Sequence, residues 1–242
     1  NYLPEKIGVP AKNICHISIM PCVAKTYEYT RPEMESENGR DVDIVLTTRE
    51  AAKLFKLRGI NLATIPDAEF DKFMGEGSGA GRIFGTTGGV MEAALRTVVW
   101  KLTGGKVDQI DYHTVRGYRG LKEATLTIGD MEVKVAIVNG IGNVRAVMED
   151  IRAGKSPYHF IEVMACPGGC LNGGGAPLTA SPDMVAERME QIYESDRKNP
   201  VRRSHENEEV QSLYREYLGE PCGHLSHHLL HTTYVDRSGE VK

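Results

Sequence analysis

Two cysteines, Cys166 and Cys170, lie in a glycine-rich stretch that could hold a metal cluster. Five glycines occur between residues 168 and 175, and glycine permits positive φ angles and a close approach of backbone N–H groups to sulfur or another anionic centre. The intervening Pro-Gly-Gly keeps both thiols within reach of one site, and thiolates favour zinc, copper or the iron of iron–sulfur clusters. The pair also allows a structural interpretation, as two buried small residues or a strained disulfide.

A third cysteine, Cys22, follows an apolar segment over residues 13–20. This β-branched run is typical of a strand that is buried on both faces of a parallel sheet. Pro21 should end the strand, because proline cannot continue an interior ladder, and should present Cys22, Lys25 and Glu28 on the loop or helical turn that follows. Ligands collect at such strand ends in open α/β sheets. A buried thiol without a ligand remains an open interpretation of Cys22.

The rest of the chain alternates strand and helix patterns that could position these loops. Strands are expected at residues 41–46, 109–115, 124–128, 131–138 and 160–164, the last of them buried. Helices are expected at residues 49–58, 90–101, 144–151, 181–193 and 208–217. The sequence therefore predicts an α/β fold of mostly parallel sheets flanked by helices. Glycine-rich loops at the strand ends should converge on a buried metal cluster at one edge of the sheet.

A second glycine-rich stretch, residues 76–89, precedes the expected helix at 90–101. A glycine loop before a helix can bind an anion. This one lacks the Lys-Ser/Thr ending of a nucleotide-binding loop, and no clear strand precedes it. We therefore interpret it as a mobile or tightly turned connector, and residues 61–75 as a loop or short irregular helix.

Composition and charge exclude several classes of protein. The 242 residues carry a net charge of −4 with basic residues scattered among acids, so a nucleic-acid partner is not expected. No apolar run approaches a membrane span, and the first residues lack the apolar core of a signal peptide. Five cysteines, an odd number, do not suggest a secreted disulfide framework. A reducing cytoplasm with metal-binding thiols fits this usage better.

Histidines are concentrated near the end of the chain. His227 and His231 have the i, i+4 spacing that can bind a metal. No Glu follows His227 as the H-E-x-x-H zinc motif requires, so these histidines are expected to have structural or surface roles. Cys222, beside a Gly-Glu-Pro turn, is expected to be a spare thiol.

Two segments resemble signatures of the FeFe (iron-only) hydrogenases. Residues 20–28 are similar to the family's M-P-C-x-x-K-x-x-E, and residues 162–175 to its E-x-M-A-C-P-G-G-C-x-x-G-G-G. The resemblance extends through residues 77–81, 84–96, 115–117 and 204–207 and so covers nearly the whole chain. It implies that residues 1–180 form the C-terminal part of the catalytic H-cluster region. Residues 181–242 would form a helical, small-subunit-like tail that packs on it.

The resemblance also implies a cofactor and its ligands. Cys22, Cys166 and Cys170 would bind the 4Fe-4S half of an H-cluster, and the sulfur of Cys170 would bridge to a diiron half that carries CO, cyanide and azadithiolate. Lys25 would donate a charge-assisted hydrogen bond to a cyanide.

Other matching positions would surround this cofactor. An apolar wall would exclude water and tune the metal potential; it would consist of Met20, Met164 and Phe84. The remaining site positions that the resemblance carries over are Glu28, Pro21 and Gly85.

The implied activity is the reversible conversion of two protons and two electrons to H2. The implied partners are ferredoxin or another redox subunit, within a multi-subunit complex in the cytoplasm. Two other functions remain open: an H2 sensor with low turnover, and a hydrogenase-like scaffold of iron–sulfur cluster assembly. A zinc site is a weaker alternative, because three scattered thiols lack the usual paired spacing.

Two departures from the family pattern bear on this expectation. The family's T-S-C-C-P signature, which supplies the fourth cluster thiolate and a proton-relay cysteine, does not occur in this sequence. Together with the start at Asn1, its absence suggests that an N-terminal part of the domain precedes this chain, and a complete cluster is not expected within it. Ala176 stands where the family usually has Gln, which removes one hydrogen bond near the cofactor.

Overall fold

The computed structural model describes residues 1–117, 120–178 and 181–239, and its helices and strands alternate as an α/β fold. This confirms the predicted fold class. The strands are β1 (Ile17–Met20), β2 (Glu35–Ser36), β3 (Gly39–Arg40), β4 (Ile44–Thr47), β5 (Leu121–Ile128), β6 (Met131–Asn139) and β7 (Phe160–Met164). The α-helices are α1 (Tyr2–Ile7), α2 (Lys25–Glu28), α3 (Thr48–Leu57), α4 (Gly79–Ile83), α5 (Gly89–Leu102), α6 (Val144–Arg152), α7 (Pro182–Arg197), α8 (Glu208–Leu213) and α9 (His224–Leu230).

The strands of the described residues form three small sheets. β1 pairs with β4 in parallel, and β2 pairs with β3 in an antiparallel ribbon. In the third sheet β6 is central, antiparallel to β5 and parallel to β7. Its apolar run from Val135 to Val138 is at most 1% exposed, because a central strand with both faces covered buries every residue.

Several expected elements form where the pattern placed them. The hairpin of β5 and β6, the helices α3, α5, α6 and α7, and strand β7 all match their predicted segments within a few residues. Thr47 caps the start of α3: its side chain accepts from the Glu50 N–H, and the Glu50 side chain accepts in return from the Thr47 N–H. Such a reciprocal capping box satisfies two free donors of the first helical turn. The predicted helix at 208–217 continues beyond α8 as a π-helix, Tyr214–Leu218.

The prediction that strands 13–20 and 160–164 are buried was wrong. β1 is only four residues long, and Ile17 and Ile19 are 56% and 53% exposed. In β7, Phe160 and Val163 are also exposed, whereas Glu162 is buried. Each strand pairs with one neighbour among the described residues. The other edge of each strand is therefore open.

The predicted strand at 109–115 was also wrong, because arginine side chains bind this segment. Arg96 donates its Nε–H to the carbonyl oxygen of Ile110 at 2.8 Å, and Arg116 and Arg202 bind the carboxylate of Asp111. The segment ends in a short 3₁₀ helix, His113–Val115. The Arg96 side chain thus binds a backbone carbonyl oxygen that a neighbouring strand would bind in a sheet.

The glycine-rich stretch at 76–89 contains a helix that its composition does not predict. Ser78 caps α4 by accepting from the Gly81 N–H at 3.1 Å. A Cβ at Gly79 would overlap the carboxylate of Asp196 on α7. Glycine is therefore required here for close packing, and tertiary contacts outweigh its low helix propensity.

Helix α5 is at the centre of the apolar core. Its residues Met91, Leu95 and Val99 pack with residues of β5 and β6. On another side α5 and α4 pack on α7 through a cluster of Ala80, Ile83, Ala93 and Tyr193. These contacts fix the start of α5, which lies beside the cysteine loops.

Within residues 1–117, 120–178 and 181–239, no helix is both long and apolar enough to cross a membrane. The predicted boundary between residues 1–180 and 181–242 falls at residues 179 and 180, which lie outside the described residues. This division stays a prediction.

Candidate metal centre

The loop with Cys22 and the loop with Cys170 are in direct contact. The N–H of Gly175 donates to the carbonyl oxygen of Pro21 at 3.1 Å. A Cβ at Gly173 would overlap that same oxygen, and one at Gly175 would lie 3.2 Å from the backbone nitrogen of Cys22. The glycines therefore allow two backbones to meet where any side chain would separate them.

These loops come from two different sheets. Cys22 follows β1 of the β1–β4 pair, whereas Cys166 follows β7 of the three-stranded sheet. The predicted convergence of strand-end loops is thus present, but at the junction of two sheets rather than along the edge of one.

A tight turn connects Cys166 to Cys170. The N–H of Gly169 donates to the Cys166 carbonyl oxygen at 2.9 Å, and Gly168 and Gly169 have φ angles of 86° and 79°. A Cβ at Gly169 would lie 2.8 Å from the carbonyl oxygen of Gly85. The backbone of Gly85 therefore packs against the turn that presents Cys170.

The three thiols share one electrostatic neighbourhood with Lys25. All are free; Cys22 and Cys166 are half-buried, and Cys170 is exposed. Partial burial of the sulfur, followed by the charges of Cys22 and Cys166, raises the pKa of Cys170, and the charge of Lys25 opposes this rise. The structure thus brings together the three cysteines and the lysine that the sequence analysis selected.

Lys25 and Glu28 form an ion pair on α2. Their Nζ and Oε2 atoms lie 2.6 Å apart. The hydrogen bond to Glu28 raises the pKa of Lys25, and the charges of Glu28, Cys22 and Cys170 add to this, against the effect of burial. Lys25 therefore carries its positive charge at neutral pH, at the margin of a cavity of about 380 Å³ that Cys22 also lines.

The predicted apolar residues occupy neighbouring elements. Met20 and Met164 are half-buried last residues of β1 and β7, and Phe84 ends α4 and is 47% exposed. Ala176, at the position of the family's Gln, is buried and closes the glycine loop by donating to the Gly173 carbonyl oxygen at 2.9 Å. That Met20, Met164 and Phe84 wall one site stays a prediction.

Two buried polar residues near the loops were not selected from the sequence as site residues. Glu162 accepts from the N–H groups of Gly88 and Met91 at 2.7 Å each and so caps α5. Burial raises the pKa of Glu162, against the lowering effect of these backbone donors. Asn139 donates to Thr87 and to the carbonyl oxygen of Cys166. The signal for Glu162 is a polar residue within the apolar strand β7, and the signal for Asn139 is a polar residue directly after the apolar run of residues 135–138.

Helix α7 supports the cysteine turn from the other side. Arg188 donates to the carbonyl oxygen of Leu171 at 3.0 Å, and a Cβ at Gly168 would lie 2.8 Å from the side chain of Val185. Helix α7 therefore contacts the loop that presents Cys170.

The donor set of three cysteine thiols suits the iron of an iron–sulfur cluster. No group of three or more His, Cys, Asp or Glu side chains in the described part of the chain is arranged around one metal ion. In a cubane each cysteine binds a different iron, so the ligand sulfurs stand further apart than around one ion. His227 and His231 lie with their Nδ1 atoms 2.5 Å apart on the surface, away from the cysteine loops in sequence.

Comparison with known proteins identifies the family. The family model "Iron only hydrogenase large subunit, C-terminal domain" matches residues 1–174, and "Iron hydrogenase small subunit" matches residues 182–237. The periplasmic [Fe] hydrogenase large subunit of Nitratidesulfovibrio vulgaris is 52% identical over 177 residues, which are 73% of this chain and 42% of that protein.

The similar proteins include an iron–sulfur cluster assembly factor as well as hydrogenases. The cytosolic Fe-S cluster assembly factor narfl of Danio rerio is 31% identical over 239 residues, 96% of this chain and 58% of that protein. A variant of the [FeFe]-hydrogenase HydA1 from Chlamydomonas reinhardtii has a similar structure, with a TM-score of 0.80 and 40% identity over 97% of this chain and 66% of that chain. The chain spans about two fifths of the length of the curated hydrogenases that it matches.

The family model, the relatives and the solved structures point to the same family. The chain therefore belongs to the family of the iron-only hydrogenase large subunit, C-terminal domain.

Proposed function

We propose that this chain is part of an iron-only hydrogenase that interconverts H2 with two protons and two electrons. The observation that carries the proposal is the contact between the Cys22 loop and the Cys166–Cys170 loop, which depends on glycines at 173 and 175. Because the chain spans only part of its relatives, the activity is proposed for the whole protein.

The three cysteines would be the cofactor ligands from this chain. Cys22, Cys166 and Cys170 would bind a 4Fe-4S cubane, whose fourth thiolate would come from outside this chain. Cys170 would also provide the sulfur that is shared with a diiron unit carrying CO, cyanide and azadithiolate. When bound, this H-cluster would supply the redox chemistry of H2.

The other residues would control charge and water around the cofactor. Lys25 keeps its proton beside Glu28, and an ammonium group has three donors. Lys25 can therefore keep its hydrogen bond to Glu28 and still donate to a cyanide. The bond to Glu28 would orient the ammonium group. Met20, Met164 and Phe84 would exclude water, and Pro21 and Gly85 would supply the backbone that fits the loops together.

We further propose the organisation of the whole protein. Residues 1–180 would form the cluster-binding region and residues 181–242 a small-subunit-like tail; the matches of two separate family models support this division. Ferredoxin or another redox subunit would exchange electrons with the cubane. Five free cysteines favour the reducing cytoplasm as the compartment, although one hydrogenase relative is periplasmic.

A second candidate function is a scaffold role in iron–sulfur cluster assembly. The similarity to a cytosolic assembly factor over 96% of the chain favours it. Such a protein would bind cubane clusters through the same cysteines without reacting with H2.

Infrared spectroscopy of the full-length, matured protein tests these proposals. A hydrogenase should show CO and cyanide stretching bands and evolve H2, and Cys170→Ser should abolish both. Cys222→Ser, at an exposed cysteine outside the site, should retain them. A cubane signal in electron paramagnetic resonance (EPR) without these bands would favour the assembly role, and bands without turnover would favour an H2 sensor. A protein that takes up no iron would contradict all three.

A further inference from the structure

We infer that Asn139 is a positioning residue for Cys166. Its side-chain amide ties the Cys166 carbonyl oxygen to buried Thr87 and thereby sets the conformation of the turn that carries two cluster thiols. The inference rests on the proposed role of these cysteines as cluster ligands, and it names a residue outside the two hydrogenase signatures.

The amide group of Asn139 is fully used as a donor. Nδ2 lies 2.9 Å from Oγ1 of Thr87 and 3.0 Å from the carbonyl oxygen of Cys166. These contacts match the two N–H bonds that a side-chain amide possesses. Asn139 is 4% exposed and Thr87 is fully buried, so water cannot readily replace either bond.

The backbone of Asn139 is held by the sheet, whereas that of Cys166 is not. Asn139 ends β6, pairs with Met164 in the register of β6 and β7, and donates its own N–H to the Gly120 carbonyl oxygen at 2.8 Å. Cys166 lies two residues beyond the end of β7. The Asn139 side chain therefore extends the order of the sheet to a cysteine that the strand ladder does not reach.

The contact acts at the beginning of the cysteine turn. The Cys166 carbonyl oxygen that accepts from Asn139 also accepts from the N–H of Gly169 at 2.9 Å. Thr87 supports the same turn directly, because a Cβ at Gly169 would lie 2.9 Å from the Thr87 backbone nitrogen. Thr87 thus contacts both the side-chain amide of Asn139 and the turn between Cys166 and Cys170.

The first test measures the reactivity of Cys166 in full-length protein that is prepared without cluster. Alkylation by iodoacetamide is followed for each cysteine by peptide mass mapping, with Cys222 as the internal reference. Asn139→Leu keeps the approximate volume but removes both bonds, and should accelerate labelling of Cys166 by about fivefold, the effect of one hydrogen bond. Asn143→Ala is the control, since Asn143 is exposed and its side-chain amide donates to the backbone carbonyl oxygen of Asn139 and not to the cysteine turn.

Substitutions at Thr87 give an independent test. Thr87→Val removes the acceptor that anchors Asn139 and should also accelerate labelling of Cys166, whereas Thr87→Ser keeps the hydroxyl and should restore the wild-type rate. If Asn139→Leu does not fold, this pair decides the question. An unchanged Cys166 rate in Asn139→Leu, or equal rates in the two Thr87 variants, would overturn the inference.

Spectroscopy separates this inference from the proposed function. After reconstitution with iron and sulfide, Asn139→Leu should shift the EPR g-values of the reduced cubane, and Asn143→Ala should not. If the wild-type protein binds no cubane, the proposed function fails, but the labelling experiment still decides whether Asn139 positions Cys166. A g-tensor identical to wild type in a fully loaded Asn139→Leu protein would contradict a role at the cluster.

Discussion

The buried guanidinium group of Arg96 joins parts of the chain that are 100 residues apart. On α5 it binds Glu92, and on α7 it binds both carboxylate oxygens of Asp196 at 2.7 and 2.8 Å. All three side chains are fully buried. Burial lowers the pKa of Arg96, but the two carboxylates more than offset it, and the net shift is upward. The two carboxylates therefore stabilise the buried positive charge of Arg96.

Removal of Arg96 should destabilise the protein strongly. Arg96→Met would leave the carboxylates of Glu92 and Asp196 buried without this partner, and such a loss costs about 3–5 kcal/mol of unfolding free energy. Urea denaturation measures it. Lys198→Met, which breaks an exposed ion pair with Glu194, is the control and should change stability little. Similar losses of unfolding free energy in both variants would show that the buried ion pairs stabilise the fold no more than an exposed pair does.

Asp111 predicts a pH dependence of stability. Burial would raise its pKa, but hydrogen bonds from Arg202 and Arg116 lower it to about 2, below the usual unfolded value of about 3.9. Since the folded pKa is depressed, the carboxylate stabilises the fold above about pH 4, and this contribution is lost as the pH falls towards about 2. Asp111→Asn should therefore be less stable than wild type at neutral pH, with a difference that shrinks below about pH 4.

Urea unfolding at neutral and acidic pH checks this expectation. Asp130→Asn makes the same charge change at an exposed hairpin position and should show no such convergence with wild type. A difference between Asp111→Asn and wild type that is constant down to about pH 3 would rule out the ion pairs as its cause.

At the scale of elements, the loop that joins the two sheets depends on close backbone contact. Three successive glycines have different surroundings. A Cβ at Gly173 would overlap the backbone of Pro21, one at Gly174 would meet the side chain of Val23, and one at Gly175 would meet the side chain of Thr47 and the backbone of Cys22. Val23 is 50% exposed and free to move aside. The same substitution should therefore have different effects at adjacent positions.

We expect Gly173→Ala to separate the cysteine loops and Gly174→Ala to be tolerated. Overpacking at Gly173 should cost about 1–3 kcal/mol of unfolding free energy and reduce the iron bound per protein after reconstitution. Elemental analysis and urea denaturation measure both quantities. Equal iron content and stability in the two variants would mean that the contact with Pro21 is not needed for cluster binding.

At the scale of the whole molecule, α7 connects the C-terminal segment to the cluster region. Tyr193 is 2% exposed within the apolar cluster with Ala80, Ile83 and Ala93, and Arg116 lies over its ring at 4.0 Å. Burial raises the pKa of Tyr193, so its hydroxyl remains neutral. The two segments matched by separate family models thus share one interface.

Residues 1–180 and 181–242, produced as separate chains, should therefore assemble and copurify. Tyr193→Ala in the second chain should weaken the complex by more than about 100-fold, since loss of a buried aromatic ring costs about 3–5 kcal/mol. Glu190→Ala, at an exposed position of the same helix, should leave it intact. Calorimetric titration measures the affinities, and equal affinities for both variants would exclude this face of α7 as the interface.

The cysteine loops and the regular elements could be predicted from local patterns. The thiol pair with its glycines and the position of Cys22 after Pro21 both depend on neighbouring residues, so sequence was sufficient for them. The prediction of a strand at 109–115 was wrong because Arg96 and Arg202, from elsewhere in the chain, bind that segment. Helix α4 was missed because contacts with α7 stabilise a glycine-rich segment.

The sequence by itself determined the fold class, the family and the three cysteines with Lys25, because these are carried by residue types at short, fixed spacings. Only the tertiary structure decided that the cysteine loops meet between two sheets, that Glu162 caps α5, and that Asn139 holds Cys166. Each of these contacts joins residues far apart in the chain, and a buried polar group satisfied by a distant partner leaves no periodic pattern in the sequence.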